Sequence, residues 1–119
     1  MQTSAKDLTK KQHQQITDQF ITLLADLNNP EESRAFFSSF MTDTEQQVFA
    51  KRLAIMWMLH RGLSYEDIHQ QLHVSSATIS SVASQIDQPG IKLALDKIEI
   101  DNWADKWATK FRNWLPFLN

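Results

Sequence analysis

The sequence contains no cysteine, which excludes disulfide bonds, thiolate metal sites and cysteine nucleophiles. It has only 2 glycines and 3 prolines among its 119 residues, and this leaves little of the turn chemistry that a sheet protein needs. No apolar run approaches the length of a membrane span, and the first residues lack the apolar core of a signal peptide. We therefore expect an all-α cytoplasmic protein, folded as a single helical domain over residues 1–119, with no membrane partner.

The chain also lacks an excess of positive charge. Lysine and arginine number 12 against 14 aspartates and glutamates, so the formal net charge is -2. No lysine or arginine occurs from Gly62 through Ile91. A global positive field that would attract nucleic acid is therefore excluded, and any basic surface must be local.

Hydrophobic spacing predicts two helices in the N-terminal third of the chain. The first covers at least Thr17–Asp26, with Ser4 as its earliest start. Its apolar stripe consists of Ile16, Phe20, Leu23, Leu24 and Leu27. The second begins at Pro30, because proline at the first helical position fixes the entry dihedral and the acids after it meet the positive helix end.

A long third helix is predicted over Asp43–Arg61. Thr42 and Glu45 form a capping box at its start, and Gly62 is the usual left-handed stop at its end. Residues 53–59 are apolar on every side of this helix, so they must be covered on every side. We expect a second subunit to supply that cover, which predicts a homodimer; the alternative is a buried central helix of a monomer.

The stretch from Ser64 to Ile86 predicts two short helices joined by a tight turn. Ser64 and Ser75 are hydroxyl caps, one before each helix. One face of each helix is apolar at spacings of three or four: Ile68 and Leu72 in the first, and Ile79, Val82 and Ile86 in the second. Val74 is apolar within the turn, so we expect it to fill the angle between the helices. This pattern is typical of a helix-turn-helix over residues 64–86.

The outer face of the second helix carries short polar groups that can hydrogen-bond to base edges, and a methyl group that can contact thymine. The candidate DNA contacts are Ser75, Ser76, Ala77, Thr78, Ser80, Ser81, Ser84 and Gln85. The pattern therefore predicts a helix that enters a major groove. The alternative interpretation is a solvated helix face that reads nothing.

Phosphate neutralisation is the main sequence-independent source of DNA affinity, and the helix-turn-helix itself offers no lysine or arginine for it. The cations must come from neighbouring segments. We assign Lys51 and Arg61 to DNA contact, and further sources are Arg52, Lys92, Lys6, Lys10 and Lys11. We therefore expect modest affinity and a shallow dependence on salt.

Catalytic and metal sites are not indicated. His69 and His73 are four residues apart, but a helix-to-turn change separates them and no third ligand follows at helical spacing. No nucleophile constellation, phosphate loop or dinucleotide fingerprint occurs. We expect neither an enzyme nor a bound metal or cofactor.

The C-terminal segment 91–115 predicts a helical extension. Ile91, Leu95 and Ile98 recur on one helical face, and Asp101 or Asn102 can cap a last helix. That last helix carries an aromatic stripe of Trp103, Trp107, Phe111 and Trp114. We favour a core role for this stripe; the alternative is a surface that binds a partner protein or a membrane.

The run MTDTEQQVFAKRLAIMWMLHRGLSYEDIHQQLHVSSATISSV resembles the core of the Trp repressor family. The resemblance rests on the long helix ending in Arg61-Gly62 and on a Ser-x-Ala-Thr-Ile-Ser pattern from Ser75 to Ser80, and it covers about residues 36–86. It looks closest to the YerC/YecD type of that family. The resemblance implies an intertwined all-helical dimer that binds operator DNA and represses transcription.

The resemblance also implies a ligand site, although this sequence departs from the family pattern at two of its positions. In tryptophan-sensing members, an arginine on the long helix and another on the reading helix flank the indole, beside a glycine. Arg52 matches the first arginine, whereas Ser81 replaces the second and Val82 replaces the glycine. Candidate ligand contacts are Thr42, Arg52 and Ser81. We expect DNA binding without a corepressor, or sensing of a different small molecule.

The sequence supports two candidate functions from different classes. The first is a transcriptional repressor that binds double-stranded DNA as a homodimer. The second is a protein-interaction module that docks a partner through the acidic helix-turn-helix or through the Trp-lined C-terminal helix.

Overall fold

The structure is a computed structural model that describes residues 7–100 and 109–110. Residues 7–100 contain six helices and no strand: α1 (Lys10–Asp26), α2 (Pro30–Phe40), α3 (Asp43–His60), α4 (Tyr65–Leu72), α5 (Ser76–Ala83) and α6 (Pro89–Ile100). The prediction of an all-α fold is confirmed. The chain divides into two compact units, Met1–Gln46 and Gln47–Asn119.

Helix α1 starts earlier than the minimum range that its apolar stripe predicted. Thr9 Oγ1 accepts a hydrogen bond from the Gln12 amide at 3.1 Å, and Gln12 Oε1 accepts one from the Thr9 amide at 2.9 Å. This reciprocal capping box satisfies two otherwise unpaired amides, so the helix begins at Lys10. The earliest predicted start, Ser4, lies outside the described residues.

Three phenylalanines bring α1 and α2 together in the first unit. The Phe36 and Phe40 rings stack with centroids 4.9 Å apart, and Phe20 of α1 lies 6.1 Å and 5.6 Å from them. Asn29 caps α2 by accepting the Glu32 amide at 2.9 Å, with Pro30 at the first helical position. The predicted start of α2 is therefore confirmed.

Helix α3 has both of its predicted end signals. Thr42 Oγ1 accepts from the Glu45 amide at 3.1 Å, and Glu45 Oε1 accepts from the Thr42 amide at 2.9 Å. The hydrogen bond from the Thr42 amide, and after it the Thr42 side chain, hold the pKa of the Glu45 carboxyl group below its ordinary value. The helix ends at His60, one residue before the predicted end, and Gly62 follows with a φ of 87°.

The apolar second half of α3 forms the centre of the core in the second unit. Residues 54–58 are buried within this single chain. The core also includes Ile68 and Leu72 of α4, Ile79 and Val82 of α5, and Leu95 and Ile98 of α6. These residues of α3 are therefore buried without a second subunit, as in the alternative of a buried central helix, and the homodimer stays a prediction.

Large apolar side chains remain exposed elsewhere. Helices α1 and α2 contain no fully buried residue. More than 40% of the side-chain surface is accessible at Ile16, Ile21, Leu23 and Leu24 of α1, at Phe40 of α2 and at Val48 of α3.

Helix α6 begins two residues before the predicted extension 91–115, and Pro89 and Gly90 form its first turn. The Gln88 carbonyl accepts the Ile91 and Lys92 amides at 3.0 Å each, and proline needs no hydrogen-bond partner at this position because it has no amide hydrogen. Of the predicted extension 91–115, Trp103, Trp107, Phe111 and Trp114 lie outside the described residues. Within the described part of the chain, no helix combines the length and the hydrophobicity needed to cross a membrane.

Candidate nucleic-acid interface

Helices α4 and α5 form the predicted helix-turn-helix, and each is eight residues long. Ser64 Oγ accepts the Asp67 amide at 3.1 Å at the start of α4, and Ser75 Oγ accepts the Thr78 amide at 3.1 Å at the start of α5. Both predicted hydroxyl caps are therefore present. Each of them satisfies one amide that the helix geometry leaves unpaired.

The turn between α4 and α5 depends on two histidines. His73 ends α4 in the left-handed conformation, with a φ of 55° and a ψ of 44°. This reversal brings the Val74 carbonyl to His69, whose Nδ1 lies 2.6 Å from the carbonyl oxygen. The Val74 side chain is half-buried and packs against the core, as predicted. The bond between His69 and Val74 was not predicted, because it spans five residues and depends on the left-handed turn.

Helix α5 has one buried face and one exposed face. Ile79 is completely buried and Val82 is 6% exposed. The residues predicted to contact DNA are all exposed: Ser75, Ser76, Ala77, Thr78, Ser80, Ser81, Ser84 and Gln85. Burial alone thus divides the helix into a core face and a hydroxyl-rich outer face, here named the α5 outer face (Ser76, Ala77, Ser80 and Ser81).

Some of the predicted contact residues already have hydrogen-bond partners. The Ser75 and Thr78 hydroxyl oxygens lie 2.9 Å apart at the helix cap, and the Ser84 hydroxyl donates to the Ser81 carbonyl at 2.7 Å. In the part of the chain that the structure describes, the hydroxyl groups of Ser76, Ser80 and Ser81 make no hydrogen bond. They are the hydroxyls best placed to bind an outside partner.

The reading helix is one turn shorter than predicted. It ends at Ala83 rather than continuing to Ile86. The backbone amide of Gln85 donates to the Val82 carbonyl at 3.0 Å, and the backbone amide of Ile86 donates to the Ala83 carbonyl at 3.2 Å. These are bonds to the third residue back, which tighten the chain into a turn. Ser84 and Gln85 therefore lie beyond the helix, where they flank the α5 outer face instead of extending it.

The predicted cations lie on α3 and just after it. Lys51 and Arg52 are exposed, as is Arg61. The Arg61 guanidinium carbon lies 5.7 Å from the centroid of the Trp57 ring, and that of Arg52 lies 5.5 Å from the Phe49 ring. Aromatic rings hold both guanidinium groups by cation–π contacts while leaving them accessible.

The predicted ligand-binding residues have mixed surroundings. The Thr42 hydroxyl oxygen accepts the Glu45 amide in the capping box, and Ser81 is exposed on α5. Val82, at the position where the resemblance implies a glycine in tryptophan-sensing members, belongs to the core. Its branched side chain fills space that the glycine would leave open.

The fold and the interface define a helical protein with a helix-turn-helix whose second helix presents an exposed polar face. The family model described as Trp repressor protein matches residues 15–99, and the chain belongs to this family. It is also similar to the uncharacterized protein YerC of Bacillus subtilis (strain 168), with 32% identity over 84 residues, which is 69% of this chain and 81% of the relative. No solved structure gives a significant match.

Proposed function

We propose that this protein is a sequence-specific DNA-binding transcriptional repressor that acts in the cytoplasm and is not an enzyme. One observation carries the proposal: α5 anchors Ile79 and Val82 in the core while its opposite face presents hydroxyl groups. The family supports the same class, because a Trp repressor is a regulatory DNA-binding protein.

The α5 outer face supports direct contact with a major groove. A hydroxyl group can donate to or accept from a base edge, and it can also hold a bridging water. Ser76, Ser80 and Ser81 would make these contacts, with Ala77 against a thymine methyl. Ser75, Thr78, Ser84 and Gln85 would contact the groove edges. Lys51 and Arg61 would bind the phosphates.

A second copy of the chain is the partner that we propose for the exposed apolar residues of α1, α2 and α3. Ile21 is 55% exposed and Phe40 is 61% exposed. A partner that covers these side chains removes apolar surface from water, which stabilises the complex. The two-fold symmetry of a dimer would then require two half-sites about one helical turn of DNA apart, the arrangement used by the Trp repressor itself.

Tryptophan is not the corepressor in this proposal. Ser81 lacks the charge that a ligand carboxylate would need, and Val82 is packed into the core. Arg52, Ser81 and Thr42 remain the candidate contacts for a different effector. The repressor would otherwise bind DNA without one.

The test is a fluorescence-anisotropy titration of purified protein against randomised duplex DNA at low salt, with and without tryptophan, followed by selection of the bound sequences. We expect enrichment of a two-fold symmetric sequence, unaffected by tryptophan. Ser80→Asp should weaken binding strongly because it brings a negative charge into the groove of a polyanion, whereas Ser38→Asp, an exposed site on α2, should not. A requirement for tryptophan would contradict the corepressor proposal.

The second candidate function is docking of a partner protein. The observation that favours it is the acidic helix-turn-helix, which holds Glu66 and Asp67 on α4 but no lysine or arginine. Partner binding that persists at high salt and needs Trp107 or Trp114 would support it. Salt-sensitive binding that needs Arg52 or Arg61 would support DNA instead.

A further inference from the structure

The helix-turn-helix contains only one kind of side chain that can become a cation. Between Arg61 and Lys92 the chain has no lysine or arginine, but it has His69 and His73. Both histidines are exposed, and both lie at the end of α4 where the chain turns toward α5. A histidine gains a positive charge between about pH 8 and about pH 5, so this unit can change from acidic to nearly neutral in that range.

His69 is held in one orientation by its bond to the chain just before α5. The Val74 carbonyl is an acceptor only, so the bond of 2.6 Å requires a hydrogen on His69 Nδ1. The neutral ring therefore has its lone pair on Nε2, and a proton bound there makes Nε2 a donor. In the described part of the chain, Nε2 has no hydrogen-bond partner. Val74 directly precedes Ser75, the cap of α5, so the ring lies beside the start of the reading helix.

We propose that His69 is a phosphate-contact residue, whose Nε2 donates to a DNA backbone phosphate and strengthens DNA binding as the pH falls. This inference rests on the proposed function. In a helix-turn-helix the first helix crosses the DNA backbone and the reading helix enters the groove beside it. A group fixed at the junction of the two helices is therefore placed at a phosphate.

The charged groups around His69 are few. On α4 they are Asp67 and Glu66, and the Glu66 carboxylate accepts a hydrogen bond from Gln70 Nε2 at 3.0 Å. His73 follows one turn later, and α5 carries no charged side chain. Among the described residues, none of the charged side chains of α3 or α6 is hydrogen-bonded or ion-paired to His69.

The sign of the pH effect follows from charge. Lowering the pH adds a positive charge at His69, and this charge attracts phosphate and displaces one further condensed counterion. The salt slope of binding should then become steeper by about 0.9. We expect the affinity of the whole protein for its duplex to rise roughly fivefold from about pH 8 to about pH 6.

The decisive variant is His69→Asn, tested in the full chain. The asparagine Nδ2 takes the position of Nδ1 and can still donate to the Val74 carbonyl, but the group at the position of Nε2 is gone. The matched control is His73→Asn, because asparagine also tolerates the left-handed conformation. We expect His69→Asn to lose most of the pH dependence and His73→Asn to keep it, with unchanged melting temperatures.

A measurement on the wild-type protein does not depend on any variant being stable. In a nuclear magnetic resonance titration of the histidine rings, added duplex should move the midpoint of His69 to higher pH, since DNA favours the charged ring. Equal pH dependence in wild type and His69→Asn would overturn the inference. A DNA affinity that does not change with pH would also overturn the inference, but it would leave the proposed function intact. Failure to bind any duplex at either pH would overturn both.

Discussion

Glu99 Oε1 lies 3.3 Å from His60 Nε2, and this contact joins the last turn of α6 to the end of α3. The two side chains are 42% and 37% exposed, so solvent screens their attraction. We expect Glu99→Gln to lower the free energy of unfolding by no more than about 0.5 kcal/mol. Urea denaturation would measure it, and a loss well above that value would mean that the contact positions α6.

The buried face of α5 and its exposed neighbour give a matched pair of variants. Ile79 is completely buried, so Ile79→Asp should unfold the second unit by burying an unpaired charge. Ser80→Asp, one residue later on the α5 outer face, should leave the melting temperature within a few degrees while weakening DNA binding. Circular dichroism during heating measures both. An unchanged melting temperature for Ile79→Asp would contradict the inner-face assignment.

The two glycines provide opposite predictions for the same substitution. Gly62 has a φ of 87° and no atom within 4 Å of an added Cβ, so Gly62→Ala costs backbone strain alone, about 1 kcal/mol. Gly90 is helical and equally unobstructed, so Gly90→Ala should stabilise the protein by up to about 0.5 kcal/mol. Chemical denaturation of both variants would detect this difference in sign. Equal effects would show that Gly62 does not need its left-handed conformation.

The Thr42–Glu45 capping box predicts a pH effect. The pKa of Glu45 is lowered, first by the hydrogen bond from the Thr42 amide and then by the Thr42 side chain. A lowered pKa in the folded state means that the stabilisation is present above the ordinary glutamate pKa and is lost as pH falls through the lowered value. Thr42→Ala should raise the pKa of Glu45 toward its ordinary value, whereas Thr42→Ser should not. Carboxyl chemical shifts measured against pH would show the difference, and an unshifted titration in Thr42→Ala would count against the side-chain contribution.

The proposed dimer is tested at its exposed apolar residues. Ile21→Glu places a charge on α1 at a side chain that is 55% exposed, so a monomer should tolerate it whereas a dimer that covers it should not. We expect sedimentation velocity to show a dimer for the wild type and dissociation for the variant. Thr22→Glu, its exposed neighbour, is the control. A monomeric wild type would refute the proposal.

The sequence predicted helix starts well where a capping residue stands next to an apolar repeat, as at Thr42, Ser64 and Ser75. It did not predict the cap at Thr9, because the first turns of α1 are polar on all sides and no repeat marks their beginning. The early end of α5 was also missed, since bonds to the third residue back replace a helical turn without changing the apolar spacing.

The sequence also predicted some features of the candidate site and not others. The inner and outer faces of α5 follow from the helical spacing of its apolar residues. This spacing predicts that Ile79 is buried and Ser80 is exposed, and both predictions are confirmed. The His69 contact depends on the left-handed conformation of His73, which the sequence does not mark because that conformation is uncommon for any residue other than glycine. Contacts between these residues and DNA stay predictions.

The composition of the α5 outer face has a consequence for the entropy of binding. Ser76, Ser80 and Ser81 each have a single torsion that positions a heavy atom, whereas lysine and arginine have four or more. Little rotational freedom is lost when such a surface becomes ordered against a ligand, in contrast to about 2 kcal/mol for each long basic side chain. A helix that binds through serines therefore offsets its weak electrostatic attraction with a small entropic cost.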